Sequence, residues 1–197
     1  PVVGTKYWTQ LGCDINGEAD GDKSGFSVSL NAAGTVVAIG APYNDVSWGV
    51  NSPNIGHVRV YEYDSSKTTN VTDQLSADFG PVGWRKLGFD IDGEANNNEQ
   101  KSGLSVDLNN AGTIVAIGAY RNGAHEGGED NGHVRLYQWR EYLSSDSGIY
   151  NYGNSLYGSH YNQLKSLIIT GDTGGGYGAP VVGTKYWTQL GCDINGE

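Results

Sequence analysis

The sequence predicts an all-β protein made of tandem four-stranded antiparallel blade modules, arranged either as a propeller or as a stacked array. Three observations carry this expectation. The 197 residues include 31 Gly and 13 Tyr, with only 17% charged residues, a composition that suits short strands joined by tight turns. No helix start, cap or 3.6-residue apolar stripe is visible. The chain also repeats itself on two scales.

The longer period is exact. Residues 1–18, PVVGTKYWTQLGCDINGE, recur unchanged at 180–197, an offset of 179. Identity over such a length does not arise by chance. The expectation is a parent protein of near-identical 179-residue units, with this chain covering one unit and the start of the next. The absence of Met, even at position 1, agrees with a processed or excerpted chain. The shorter period lies inside the unit. Residues 8–41 and 84–119 share one pattern once a two-residue insertion after Asn96 is allowed, and Trp8 corresponds to Trp84. A variable loop then leads to Gly56-His57-Val58-Arg59-Val60-Tyr61 in one copy and Gly132-His133-Val134-Arg135-Leu136-Tyr137 in the other. The expected organisation is a module over 1–76, a second over 77–139, a degenerate module or linker over 140–179, and the start of the next unit over 180–197.

Within a module the elements follow from local pattern. Phe26-Ser27-Val28-Ser29-Leu30 alternates apolar and polar residues, the period of a half-buried strand. Asn31–Thr35 is a turn in which Gly34 can take positive φ. Val36–Gly40 is nearly all apolar, as in an inner strand covered on both faces. His57–Tyr63 is a strand with Val58 and Val60 on one face and His57, Arg59 and Tyr61 on the other. Lys6–Gly12 is a fourth strand anchored by Trp8. A single sheet of this kind cannot hide two apolar faces, and stacking copies face to face resolves that. In the third stretch, Ser166–Thr170 reads as one further strand.

The phrases Ser24–Leu30, Val36–Pro42 and Gly56–Tyr61, and their second copies, resemble the FG-GAP repeat, the blade of integrin-type β-propellers. The likeness covers roughly residues 8–63 and 84–139. It departs at Ser24 and Ser102, where the family has Phe, and at Tyr120, where it has Pro. The resemblance implies a blade-like module. The family's calcium loop is not implied, because Asn31–Gly34 and Asn109–Gly112 carry no carboxylate.

Elsewhere, oxygen donors alternate at Asp14, Asn16, Glu18, Asp20 and Asp22, and again at Asp90, Asp92, Glu94, Asn96 and Asn98. Such spacing suits a hard cation such as Ca²⁺. It equally suits a turn-forming loop whose side chains bond nearby backbone. The same acids recur in both modules, whereas glycosidase chemistry needs one asymmetric acid pair. No nucleophile elbow, phosphate loop or Cys/His cluster is present, and the chain is expected not to be an enzyme and to need no other cofactor. His57 and His133 each share a face with Arg and Tyr and read as interface residues. Cys13 and Cys192 are one position in two copies, either a small buried residue or half of an inter-unit disulfide. Asn70-Val71-Thr72 is a glycosylation sequon.

The formal net charge of −10 repels phosphate backbones and argues against nucleic-acid binding. The apolar runs are too short for membrane insertion by a helix. The expected function is a structural unit of an extracellular fibre, surface coat or adhesin, whose partners are identical neighbouring units. Residues 185–194 should pair into a neighbouring module's sheet, and residues 6–15 should do the same at the other end. The alternative is a closed propeller that recognises glycans or a protein through the loops 43–55 and 120–131, with Trp48 as a stacking platform.

Overall fold

The structure is a computed structural model. It describes residues 4–45, 54–74, 76–93, 99–121, 131–141, 143, 183–191 and 193–195. The described residues contain ten strands and no helix.

Two antiparallel sheets are built on one plan. Sheet 1 runs β1 (Ser27–Leu30), β2 (Val36–Ala41), β3 (His57–Tyr63) and β4 (Trp84–Lys86), and the two-residue β5 (Ile91–Asp92) also pairs with β3. Sheet 2 repeats this with β6 (Ser105–Leu108), β7 (Ile114–Ala119), β8 (His133–Glu141), β9 (Lys185–Gln189) and β10 (Ile194–Asn195). The hairpin turns are set by one side chain each. Asn31 Oδ1 accepts from the N–H groups of Thr35 and Val36, and Asn109 does the same for Thr113 and Ile114. Gly34 takes the left-handed conformation that the turn requires, at φ +68°.

The last strands of each sheet come from the following sequence repeat. Trp84, which opens the second copy of the pattern, pairs opposite Tyr63. Trp187, which lies in the recurrence of residues 1–18, pairs opposite Trp139 in the matching register. The expected pairing of 185–194 with a module sheet is therefore seen within this chain. The expected strand over Lys6–Gly12 is not. Those residues form no strand, and Trp8 is fully exposed although Trp187 is completely buried. The physical reason is that such a strand gains its hydrogen bonds and its Trp pocket from a sheet that precedes it. No described residue ahead of Lys6 offers that sheet.

Register divides each sheet into two faces. The first face of sheet 1 carries Ser27, Ser29, Ala38, Gly40, Val58 and Val60, and the second carries Val28, Leu30, Val37, Ile39, Arg59 and Tyr61. The main core joins the first face of sheet 1 to the second face of sheet 2. It unites Val36, Ala38, Val58 and Val60 with Leu108, Val115, Ile117, Tyr137 and Trp187. The stacking is thus head-to-tail. It depends on small residues, because a Cβ at Gly40 would overlap the Gly103 carbonyl. Ser27 Oγ donates to that carbonyl at 2.7 Å, and Ser29 Oγ accepts from Leu108 N at 2.9 Å.

This corrects one expectation. β1 is a strand, but its serine face is the more covered one, and Val28 and Leu30 point outward. Close sheet contact through small side chains decides which face is covered. The expected strand at 166–170, Trp48, Glu94, Asn96, Asn98, Cys192 and most of 140–179 lie outside the described residues.

Removing the Trp187 side chain empties a fully buried site in the main core, whereas Trp8 touches little. Trp187→Ala is therefore expected to lower the unfolding free energy by about 3–5 kcal/mol. Trp8→Ala should change it by no more than about 0.5 kcal/mol. Urea denaturation followed by fluorescence measures both, and equal costs would contradict the strand assignment.

Candidate functional site

The chemistry-bearing residues gather where the start of one repeat meets the sheet of the repeat before it. β3 presents His57 and Arg59 on alternate positions, β5 lays Asp92 opposite His57, and Asp90 stands immediately before β5. Arg59 grips Asp90 in bidentate fashion, with Nε to Oδ1 and Nη2 to Oδ2 both at 2.9 Å. Lys86 Nζ reaches Asp90 Oδ1 at 2.8 Å. Arg59 also pairs with Glu18. His57 Nδ1 lies 3.8 Å from Glu18 and 3.9 Å from Asp90. Arg59 and Lys86 are buried, so these pairs sit in a poorly hydrated setting.

Sheet 2 keeps the positions but not the ion pairs: Gln189, at the place of Lys86, donates to Asp193 Oδ1 at 2.7 Å. Asp193, the counterpart of Asp90, lies 3.5 Å from His133 Nδ1. Arg135 donates to the main-chain carbonyl of Asp92 at 3.0 Å. A second tie joins repeats through tryptophan. Trp84 Nε1 donates to Leu11 O at 3.0 Å, and Trp187 Nε1 donates to Leu87 O at 2.8 Å.

Electrostatics follow burial and partners. Burial alone would raise the Asp90 carboxyl, but Lys86 and Arg59 outweigh it and hold the group well below the usual carboxylate range. Burial lowers the His57 imidazole despite the nearby carboxylates, so it is neutral at pH 7. Burial and Arg135 push His133 down to about 4, against the pull of Asp193. Asp92 moves the other way. Burial, and then the charges of Asp90 and Glu18, push it up to about 7. The positions that correspond to Asp92 in the other two copies are Asn16 and Asn195.

The alternating acids do not share one role. Glu18, His57 and Asp90 bring ligand-type atoms within 4.8 Å of one another. Among the described residues, Asp14, Asp20 and Asp22 join no such group. Asp14 is exposed and accepts from Gln10 at 2.8 Å. Asp22 is buried and accepts from Asn44 at 2.9 Å and from Ala19 N at 3.2 Å, which fixes its loop. At Asp90 the positive charge that a cation would bring is supplied by Arg59 and Lys86. The link from the β3 His-Val-Arg phrase to a carboxylate of the next repeat was not foreseen. The signal was the recurrence of both phrases, but their pairing is long-range.

A cavity of about 580 Å³ lies beside the latch, lined in part by Arg59, Tyr61, Phe79 and Asn70. Asn70 is exposed. Cys13 is exposed with a free thiol, not the buried residue that one reading of the sequence expected. Its main-chain N–H donates to Val82 O at 2.9 Å. No protein-family model matches the chain, and no curated protein matches it either.

Asp90→Ala strands two buried cations and is expected to cost about 3 kcal/mol of stability. Asp14→Ala, at the exposed counterpart, should stay within about 0.5 kcal/mol of the parent. Chemical denaturation with and without a chelator reads both, and the chelator should leave each curve in place. A large loss with chelator alone would assign the site to a cation.

A carboxyl whose pKa is raised on folding opposes stability once it must ionise. The parent should therefore lose stability from this group as pH rises from about 4 to 7. Asp92→Asn should melt higher than the parent at pH 8, with the gap closing toward pH 4. A gap independent of pH would show that Asp92 is not held protonated.

Proposed function

We propose that the chain is a repeat of an extracellular structural array, such as a fibre, surface coat or adhesin stalk, in which each repeat closes the sheet of the one before it. The observation that carries this reading is the pairing of Lys185–Gln189 with β8 in the register that Trp84–Lys86 takes on β3. Residues 180–197 duplicate 1–18. A seam between 179-residue units would then use the same strand and tryptophan as the seam inside a unit, with Asp193 beside His133 in place of the Arg59–Asp90–Lys86 latch. Arrays of this kind draw stability from nearest-neighbour interfaces, and near-identical units give every copy the same neighbours. The partners are accordingly identical repeats. The FG-GAP likeness agrees with this at the level of the module, as blade-like sheets stacked face to face. An exposed sequon at Asn70 and a net charge of −10 suit an extracellular glycoprotein that binds no nucleic acid. The repeated acids serve ion pairs and loop contacts, which favours a structural over an enzymatic role and leaves calcium no necessary part.

A closed propeller that binds glycans or a protein is the second reading. Head-to-tail stacking serves a ring as well as a rod, and the cavity beside Tyr61 and Phe79 offers an aromatic-lined surface. Electron microscopy of polypeptides carrying two and three 179-residue units in tandem decides between them. Rigid rods that lengthen with unit number are expected. Rings of constant diameter would support the propeller, and flexibly joined beads would overturn the array.

A further inference from the structure

Two faces of the stack are not covered by a sheet among the described residues, and each is the counterpart of a face buried at the internal seam. On the second face of sheet 1, Phe26, Val28 and Leu30 are 55%, 62% and 58% exposed, whereas Leu108, the counterpart of Leu30, is 7% exposed. On the first face of sheet 2, Val134 and Ile194 are 37% and 61% exposed, whereas their counterparts Val58 and Ile91 are wholly buried.

The seam inside the chain shows what covers such a face. On sheet 1 the segment Lys101-Ser102-Gly103 crosses Gly40 and Gly56, and Ser102 N donates to Ile55 O at 2.8 Å. A Cβ at Gly56 would overlap the Ser102 carbonyl, so glycine is required there by the incoming chain. On sheet 2 the same place is a hollow of about 360 Å³ bordered by Ser105, Gly118, Tyr120, Gly132, Val134 and Ile194. Gly118 and Gly132 keep glycine at the positions of Gly40 and Gly56. The Lys-Ser-Gly phrase recurs as Lys23-Ser24-Gly25, next to the exposed stripe.

We propose that a second copy of this chain docks the Lys23–Leu30 corner of its sheet 1 into the hollow on the open face of sheet 2. The contact repeats the internal seam. The second copy's residues 11–18 pack Ile15 against the cluster of Ile39 and Tyr61 and accept from Trp84 Nε1 through Leu11 O. On docking they give up that place to the identical sequence at the end of the first copy. Ser105 takes the place of Ser27 and donates to the Gly25 carbonyl of the second copy. Within the chain, Ser29 Oγ lies 3.2 Å from Asp107 Oδ1. At the new seam Asp107 holds the Ser29 position and the incoming Ser29 holds the Asp107 position, so the hydroxyl–carboxylate pair is kept with its sides exchanged. At the internal seam Lys101 Nζ lies 3.8 Å from the Tyr43 ring centre. The incoming Lys23 meets Tyr120 and Arg121 there, and Arg121 is already paired with Glu99 at 3.2 Å. Corner and hollow lie on opposite faces, so each copy offers one of each and the contact propagates head to tail.

The inference rests on the array reading and adds that separate chains form the same seam as tandem repeats. Sedimentation velocity of the full chain over a wide concentration range tests it. The parent is expected to form dimers and longer species as concentration rises. Val28→Asp blocks the corner and Val134→Asp the hollow, with Ile194→Asp as a second hollow variant. Each should associate at least ten-fold more weakly while keeping the parent's thermal melt. A mixture of Val28→Asp and Val134→Asp retains one intact corner and one intact hollow, and should form dimers and nothing longer. A parent that stays monomeric throughout, or a mixture that stays monomeric while the parent associates, overturns the proposal. If rods still form from tandem units in that case, only this inference falls. If tandem units behave as loose beads, the array reading falls with it.

Discussion

The long third strand of each sheet needs a neighbour on its outer edge, and the fold supplies that neighbour from the next repeat. Unpaired main-chain groups along an open edge are costly when buried and invite adventitious pairing when exposed. Trp84–Lys86 and Lys185–Gln189 satisfy β3 and β8. Each also delivers a tryptophan that packs against an aromatic ring on the edge it joins, with ring centres 5.4 Å apart for Tyr63–Trp84 and 5.5 Å apart for Trp139–Trp187. Each of the two described sheets takes its outer strand from the sequence repeat that follows it, and the core and the stacking direction build on that pairing.

The closeness of the two sheets is a consequence of residue size. Serine, alanine and glycine on the first face of sheet 1 let the backbone of the second module approach, and the hydroxyls bond to what arrives. Larger apolar side chains stand on the opposite face. Each sheet therefore carries one shallow and one protruding surface, which match each other better than either matches itself. That difference gives the stack its polarity.

The ion pairs act where strand exchange has already brought the chains together. Arg59 and Lys86 neutralise Asp90 at the join, and His57 is kept neutral by burial. Asp92, one position from Ile91 in the core, is the exception to charge balance. Burial, reinforced by the nearby carboxylates of Asp90 and Glu18, raises its carboxyl. Asn195 takes the matching place opposite His133 without the titration, whereas Asn16 is exposed and lies in no strand.

Much was legible in the residues themselves. Alternation and turn chemistry determined the strands at β1, β2 and β3, the Asn31–Thr35 turn and the all-β class, because these depend on neighbours a few residues apart. The exact duplication of residues 1–18 determined that the chain repeats. What only the tertiary structure decided depends on partners far along the chain. Which face of β1 is covered follows from the second sheet, not from its own polarity. Whether the Lys6–Gly12 phrase is a strand depends on a preceding edge, since identical residues at 185–189 pair and those at 6–12 do not. The acids that look like one ligand series separate into a buried latch, a loop tie and solvent-facing groups, because β3 and β5 bring together residues about thirty positions apart that no local spacing links.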